Sequence, residues 1–182
     1  MRVKKNYCLK ENYKMSRPNK RRLTVYSDAS FGHYIAGISA IAVVDDLIVE
    51  QTASAFSTQH AKTEEFEMLG LISAAALATK LVKRLKLRNS TVKLLCDNQG
   101  TIALSHNEPR LEPYFEVLRK HGINVCITYI DGNHPIHHLC HLASNRFRRN
   151  VQQEIQDEHK QQMQESPRKK QLQDFNKMLF KS

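Results

Sequence analysis

LTVYSDAS, residues 23–30, is a short apolar run that gives out on a carboxylate. Leu23, Val25 and Tyr26 suit a β-strand, bounded on its N-terminal side by the basic run RPNKRR (17–22). Asp28 is then expected where that strand ends. An acid there is costly unless a cation, a cage of hydrogen bonds or a retained proton compensates it. The plainer alternative is a turn-forming Asp bonded to its own backbone, helped by Ser30. The later acidic positions weigh between the two.

Before the strand, residues 1–22 hold nine Lys/Arg against one Glu, so most of the net charge of +10 belongs to an N-terminal arm. The arm is expected to be flexible. With no apolar face for a bilayer, it is expected to bind a polyanion, nucleic acid rather than membrane, a solubilising tail being the alternative. The chain has 182 residues, 41% of them hydrophobic, enough for one domain with extensions. Neither an 18-residue apolar run nor an apolar leader is present, so a soluble, unexported, cytoplasmic protein is expected. Cys8, Cys96, Cys126 and Cys140 lack CxxC spacing and read as thiols in a reducing compartment.

After the strand, Phe31–Tyr34 reads as a turn and IAGISAIAVV (35–44) as a second strand, with Gly37 marking a close backbone approach or a bulge. Asp45–Asp46 turns into a third strand, Leu47–Ala55, completing an antiparallel meander. From about Lys62 the period becomes helical. TEEFEMLGLISAAALATKLVKRL has Thr63 as N-cap, acids at its start and Lys80, Lys83 and Arg84 towards its end, as the helix dipole prefers. TVKLLC (91–96) is a buried strand ending at Asp97, followed by a short helix in NQGTIALSH. A helix around Leu111–His121, stopped by Gly122, leads into the last strand, Ile123–Ile130. The final helix is expected to start near His137 and run to Ser166–Pro167. Beyond it, Leu172, Phe175, Met178 and Leu179 form an apolar stripe that docks on this domain or on a partner. The order predicts an α/β fold with a mixed sheet and right-handed crossovers. The domains read as 1–22, 23–150 and a Gln- and charge-rich helical extension, 151–182.

If the fourth strand pairs parallel beside the first, Asp28 and Asp97 emerge at one edge of the sheet. A Glu early in the long helix then reaches them. Gly70 and Ala74 share a helix face with Glu67, and small residues there let the helix approach the sheet, so Glu67 faces inward. Glu64 is the fallback, and Glu65 suits the helix dipole. Three converging carboxylates repel unless cations lie between them, which predicts two Mg²⁺ or Mn²⁺ ions and phosphodiester hydrolysis.

YSDAS with the AGISAIAV run, FEMLGLISA and LLCDNQG, in this order over about residues 22–150, resemble the first three catalytic motifs of type 1 ribonuclease H. The resemblance implies the ribonuclease H-like fold: a five-stranded mixed sheet, three antiparallel strands and then alternating helices and strands, flanked by helices. It implies that Asp28 bridges both metals, Glu67 binds the leaving-group side and Asp97 the nucleophile side. It further implies that Asn98 and Gln99 contact the substrate minor groove, with Ser30 touching the backbone near Asp28.

The fourth motif departs from the family pattern, a small residue, Asp, any residue, Leu, Ala. In DGNHPIHHLCHLASN, one register puts His141 on the Asp; matching Leu142–Ala143 instead puts Cys140 there. Argonaute nucleases, which share the fold, can carry three acids and a histidine. His141 is therefore taken as the fourth metal ligand, with Mn²⁺ favoured over Mg²⁺ by the softer imidazole. His134 stands near the family's loop histidine. A zinc site among His134, His137, His138, His141 and Cys140 is an alternative without a second ligand cluster. The implied function is a metal-dependent endonuclease cutting the RNA strand of RNA–DNA hybrids to leave 5′-phosphate ends. The alternatives are a weak or inactive binding module of this fold, or a related nuclease with another nucleic-acid substrate. The 151–182 segment is a candidate for protein binding or self-association.

Overall fold

A computed structural model describes residues 21–57 and 63–179, with side chains described from Glu64 to Met163 in the second stretch. The N-terminal arm, the Thr63 cap and the stripe beyond Pro167 therefore lie outside the described side chains. The elements are β1 (Leu23–Gly32), β2 (Ile35–Val44), β3 (Leu47–Ser57), α1 (Thr63–Arg84), β4 (Thr91–Cys96), α2 (Gln99–Ser105), α3 (Glu112–Lys120), β5 (Asn124–Tyr129) and α4 (Pro135–Leu179). The strands form one sheet in the order β3-β2-β1-β4-β5, antiparallel through the meander and parallel from β1 to β4 to β5. This is the five-stranded mixed sheet flanked by helices that the sequence predicts. Contacts divide the chain into two units, the first ending at Arg148 and the second starting at Arg149. No helix among the described residues is long and apolar enough to cross a membrane.

The two sheet faces bury different partners because strand side chains alternate. Leu23 and Val25 of β1, Ala40 and Ala42 of β2 and Leu94 of β4 pack under the α1 stripe Leu71, Ala74, Ala78 and Leu81, whose spacing repeats by helical turns. On the other face Tyr26, Ile41 and Val43 pack around Cys140 of α4, with Leu95, Ile130 and Ile136 beside them. Here α4 lies almost against the backbone of β2. A Cβ on Gly37 would fall 2.1 Å from the Ser144 carbonyl oxygen. Gly37 thus marks a close approach, while the irregularity in β2–β3 pairing falls at Ala42/Val43.

Asp28 departs from its expected place. It does not end a strand: β1 continues to Gly32, paired with β2 as far as Gly32↔Ile35. The parallel ladder to β4, by contrast, stops at Tyr26↔Leu95. Asp28 sits two residues beyond that last pair, where β1 has lost one neighbour and kept the other. The β1–β2 turn narrows to His33–Tyr34, both in the left-handed region. Two helix bounds also differ. The α4 helix starts at Pro135, a residue favoured in a first turn because its missing N–H has no helical partner to lose. It runs through Ser166–Pro167 to Leu179, with good helix formers such as Gln, Lys and Leu on both sides of the proline.

The Gly37 contact makes a packing prediction. Gly37→Ala would force α4 off β2 and is expected to lower stability by about 1–3 kcal/mol, as overpacking does. A urea melt of the variant checks this, and an unchanged midpoint would contradict it.

Candidate metal centre

Three elements supply the acids. Asp28 lies in β1 past the end of the β1–β4 ladder, and Asp97 follows the last residue of β4. Glu67 occupies the second turn of α1, whose close approach is permitted by Gly70: a Cβ there would meet the Asp28 carbonyl oxygen at 3.2 Å. The first turns of α4 close the site from the other face. His137, 1% exposed, places Nε2 3.6 Å from Asp97 Oδ1 and 3.9 Å from Asp28 Oδ1. Ser144 donates a 2.6 Å hydrogen bond to Asp28 Oδ2. Two groups could each hold a cation: Asp28, Asp97 and His137, and Glu67, Cys96 and Asp97, the ligand atoms of each lying within 4.8 Å of one another. Asp97 belongs to both.

The electrostatics fit a cation. Burial pushes the Glu67 carboxyl up to about 8, with Asp28 and Asp97 adding to the rise, and Glu67 Oε2 is buried without a hydrogen-bond partner. Asp28 is also raised, first by burial and partly offset by the Ser144 hydrogen bond. An orphaned buried carboxylate oxygen, raised acids and converging ligand atoms are what a divalent ion would relieve.

The imidazoles add a competing feature. Ser27 O lies 3.2 Å from His137 Nε2, and a carbonyl only accepts, so that nitrogen carries the proton, while buried Nδ1 has no partner. For His141 the tautomer follows from Asn145. Arg148 donates to Asn145 Oδ1 and Asn145 Nδ2 donates to the His141 carbonyl, which fixes the amide's orientation. The same Nδ2 lies 2.9 Å from His141 Nε2, which must accept. His141 therefore turns Nδ1–H towards Asp28 Oδ2 at 3.5 Å. His141 thus turns its N–H towards a carboxylate, while His137 gives its N–H to the Ser27 carbonyl with the Asp28 and Asp97 oxygens close by.

His141 thus lies beside Asp28 but outside the two ligand groups, and His137, which the motif comparison passed over, lies inside one of them. The two are one helical turn apart, so both reach the same strand. Ser144 was also passed over, since a lone Ser after Leu-Ala carries no signal without the Gly37 approach. Cys140 is a core thiol: it is fully buried, contacts the Tyr26 carbonyl and is pushed by burial up to about 12. The register that puts Cys140 in the place of the acid therefore gives a thiol that stays protonated and packed. Among the described residues no histidine–cysteine group forms for zinc; His134 stacks on Tyr26 and His138 is exposed. Asn98 caps α2 by accepting from Thr101 N, Gln99 is exposed, and Ser30 is buried with an unpartnered Oγ.

Between its unfolded value of 4.5 and about 8, Glu67 holds a proton in the folded chain that the unfolded chain has lost. Metal-free stability therefore falls as pH rises through that window, by roughly 3 kcal/mol at pH 7. Glu67→Gln is expected to flatten this slope and raise the pH 8 melting temperature, as read by thermal denaturation in EDTA. Ser144→Ala frees Asp28 to rise further, and about tenfold weaker Mn²⁺ binding is expected by calorimetry at pH 7.

No family model matches the chain, and no curated protein does. Solved structures do. The chain is similar to LC11-RNase H1, isolated from compost by a metagenomic approach and solved in complex with an RNA/DNA hybrid: TM-score 0.56, 13% identity, covering 71% of this chain and 98% of that one. RNase H1 of the halophilic archaeon Halobacterium salinarum gives 0.51 at 20% identity, covering 69% and 96%. The N-terminal RNase H domain of a Mycobacterium tuberculosis protein gives 0.56 at 14%, covering 74% and 98%. With the strand order and pairing described above, these likenesses show that the chain has the ribonuclease H-like fold.

Proposed function

We propose that the chain is a nucleic-acid-binding domain of the ribonuclease H-like class with a variant centre, whose phosphodiester hydrolysis is weak with Mg²⁺ and stronger with Mn²⁺. The observation that carries this is the gathering of Asp28, Asp97 and His137 where β1 and β4 part, with Glu67 sharing Asp97. In this reading Asp28, Asp97 and Glu67 would hold the ion, and His137 would add its Nε2 in the tautomer that carries the proton on Nδ1. The imidazole favours a softer ion than Mg²⁺. A divalent cation there would activate water and stabilise charge on the phosphate oxygens. Ser144 orients Asp28, and α4 keeps that carboxylate out of bulk water. His141, with its N–H towards Asp28, is assigned to steadying the carboxylate rather than to ligation.

The stronger form is a full endoribonuclease that cuts the RNA strand of RNA–DNA hybrids through two ions and leaves 5′-phosphate ends. The presence of both ligand groups, sharing Asp97, favours it. Ser30, Asn98 and Gln99 would then meet the strand near the cut. The basic arm 1–22 would add salt-dependent affinity, and 151–182 would serve a protein partner or self-association.

Labelled RNA–DNA hybrid, duplex DNA and duplex RNA, each with Mg²⁺ and with Mn²⁺, test these readings against Asp97→Asn. Hybrid cutting at least tenfold faster with Mn²⁺ and abolished in the variant is expected. Equal rates with both metals would favour the full enzyme. Binding without cutting under any condition would leave a binding module only.

A further inference from the structure

We propose that Arg148 holds a backbone phosphate of the nucleic acid that lies across the carboxylate centre. The inference rests on the nucleic-acid reading above and adds the group that grips the strand. On β1, Asp28, Ser30 and Gly32 share one sheet face because side chains alternate. Residues along α4 meet the strand in order: His137 at the Ser27 carbonyl, Ser144 at the Asp28 side chain, Arg148 at Gly32. Arg148 therefore lies four strand residues from Asp28 on the same face, a span of about 13 Å at the rise of a β-strand. A span of that size covers several successive phosphates of one strand.

The guanidinium is seated but not neutralised. A Cβ on Gly32 would come within 2.6 Å of Nη1, so the guanidinium lies directly on the strand at the glycine. Nη2 donates to Asn145 Oδ1 at 3.3 Å, and Nε is buried without an acceptor. Among the described residues no carboxylate forms an ion pair with Arg148. Nearby Ser30 Oγ is likewise buried without a partner. A half-buried cation with idle donors, next to a carboxylate cluster it does not touch, fits an oxyanion from outside the chain. A planar fork suits a phosphate oxygen pair better than a point charge does. Asn145 ties this cation to the centre, since the same amide donates to His141 and accepts from Arg148. Binding at Arg148 would therefore be felt at the histidine facing Asp28.

The test is fluorescence anisotropy of the full chain with a labelled RNA–DNA hybrid in EDTA, over a series of salt concentrations, so that hydrolysis plays no part. Arg148→Ala is expected to weaken binding at least fivefold at low salt and reduce the log–log salt slope by about 0.9, the value for one phosphate contact. Arg148→Lys keeps the charge and should retain the slope while losing part of the affinity. Matched melting temperatures of the three proteins exclude misfolding. A slope and affinity unchanged in Arg148→Ala would overturn the proposal, as would a wild-type chain that binds no hybrid. If the hybrid is bound through Arg148 but never cut with metal, the hydrolytic reading fails and this one stands.

Discussion

A carboxylate 3% exposed in the middle of a sheet is the constraint that shapes this chain. Asp28 can exist there because β1 loses its β4 neighbour two residues earlier while its pairing with β2 continues. The strand is held by β2 at that point, yet open along its other edge. Burial still raises the acid, and Ser144, brought in by α4, supplies the hydrogen bond that offsets part of that cost. Ser144 reaches Asp28 only because Gly37 has no side chain to hold α4 away. The glycine in β2, the serine in α4 and the acid in β1 thus form one device distributed over 116 residues of chain.

The second consequence concerns charge. Asp28, Asp97 and Glu67 converge from a strand, a strand end and a helix; Asp97 raises the cost of ionising both others, and Asp28 raises that of Glu67. A divalent cation relieves that repulsion, and an imidazole N–H relieves it more weakly. Here the imidazoles stand beside the same oxygens that could hold a cation. His137 donates to the Ser27 carbonyl with its Nε2 lying between two carboxylates, and His141 faces a third oxygen. A cation must displace those contacts or turn a tautomer to bind, a cost that a centre of four acids does not carry. This is the physical ground for expecting weaker use of Mg²⁺, whose dehydration is already reluctant.

Much of the fold was legible because it rests on local periodicity. The meander follows from two tight turns between apolar runs, and the parallel half from strands alternating with helices. Asp28, Glu67 and Asp97 were legible because an acid after an apolar strand, or beside Gly70 on a helix face, is unusual enough to notice. Strand length was not legible at Asp28: SDASFG lacks the apolar alternation that marks a strand, and its pairing comes from β2. The continuation through Pro167 was also hidden, since a proline ordinarily argues for a stop.

The histidines show the same limit more sharply. In HPIHHLCHLASN, His137, His138 and His141 differ in sequence only by position, yet one is buried, one is exposed and one is half-exposed beside Asp28. Motif matching favours His141 because it compares residues in line. Helix geometry admits His137 equally, since a step of four returns to the same face. What separates them is depth along β1. His137 meets Ser27, beneath the point where β1 and β4 part, whereas His141 stands over Asp28 and leans on Asn145. Depth is set by how closely α4 lies on the sheet, and that was decided at Gly37, a residue with no chemistry of its own.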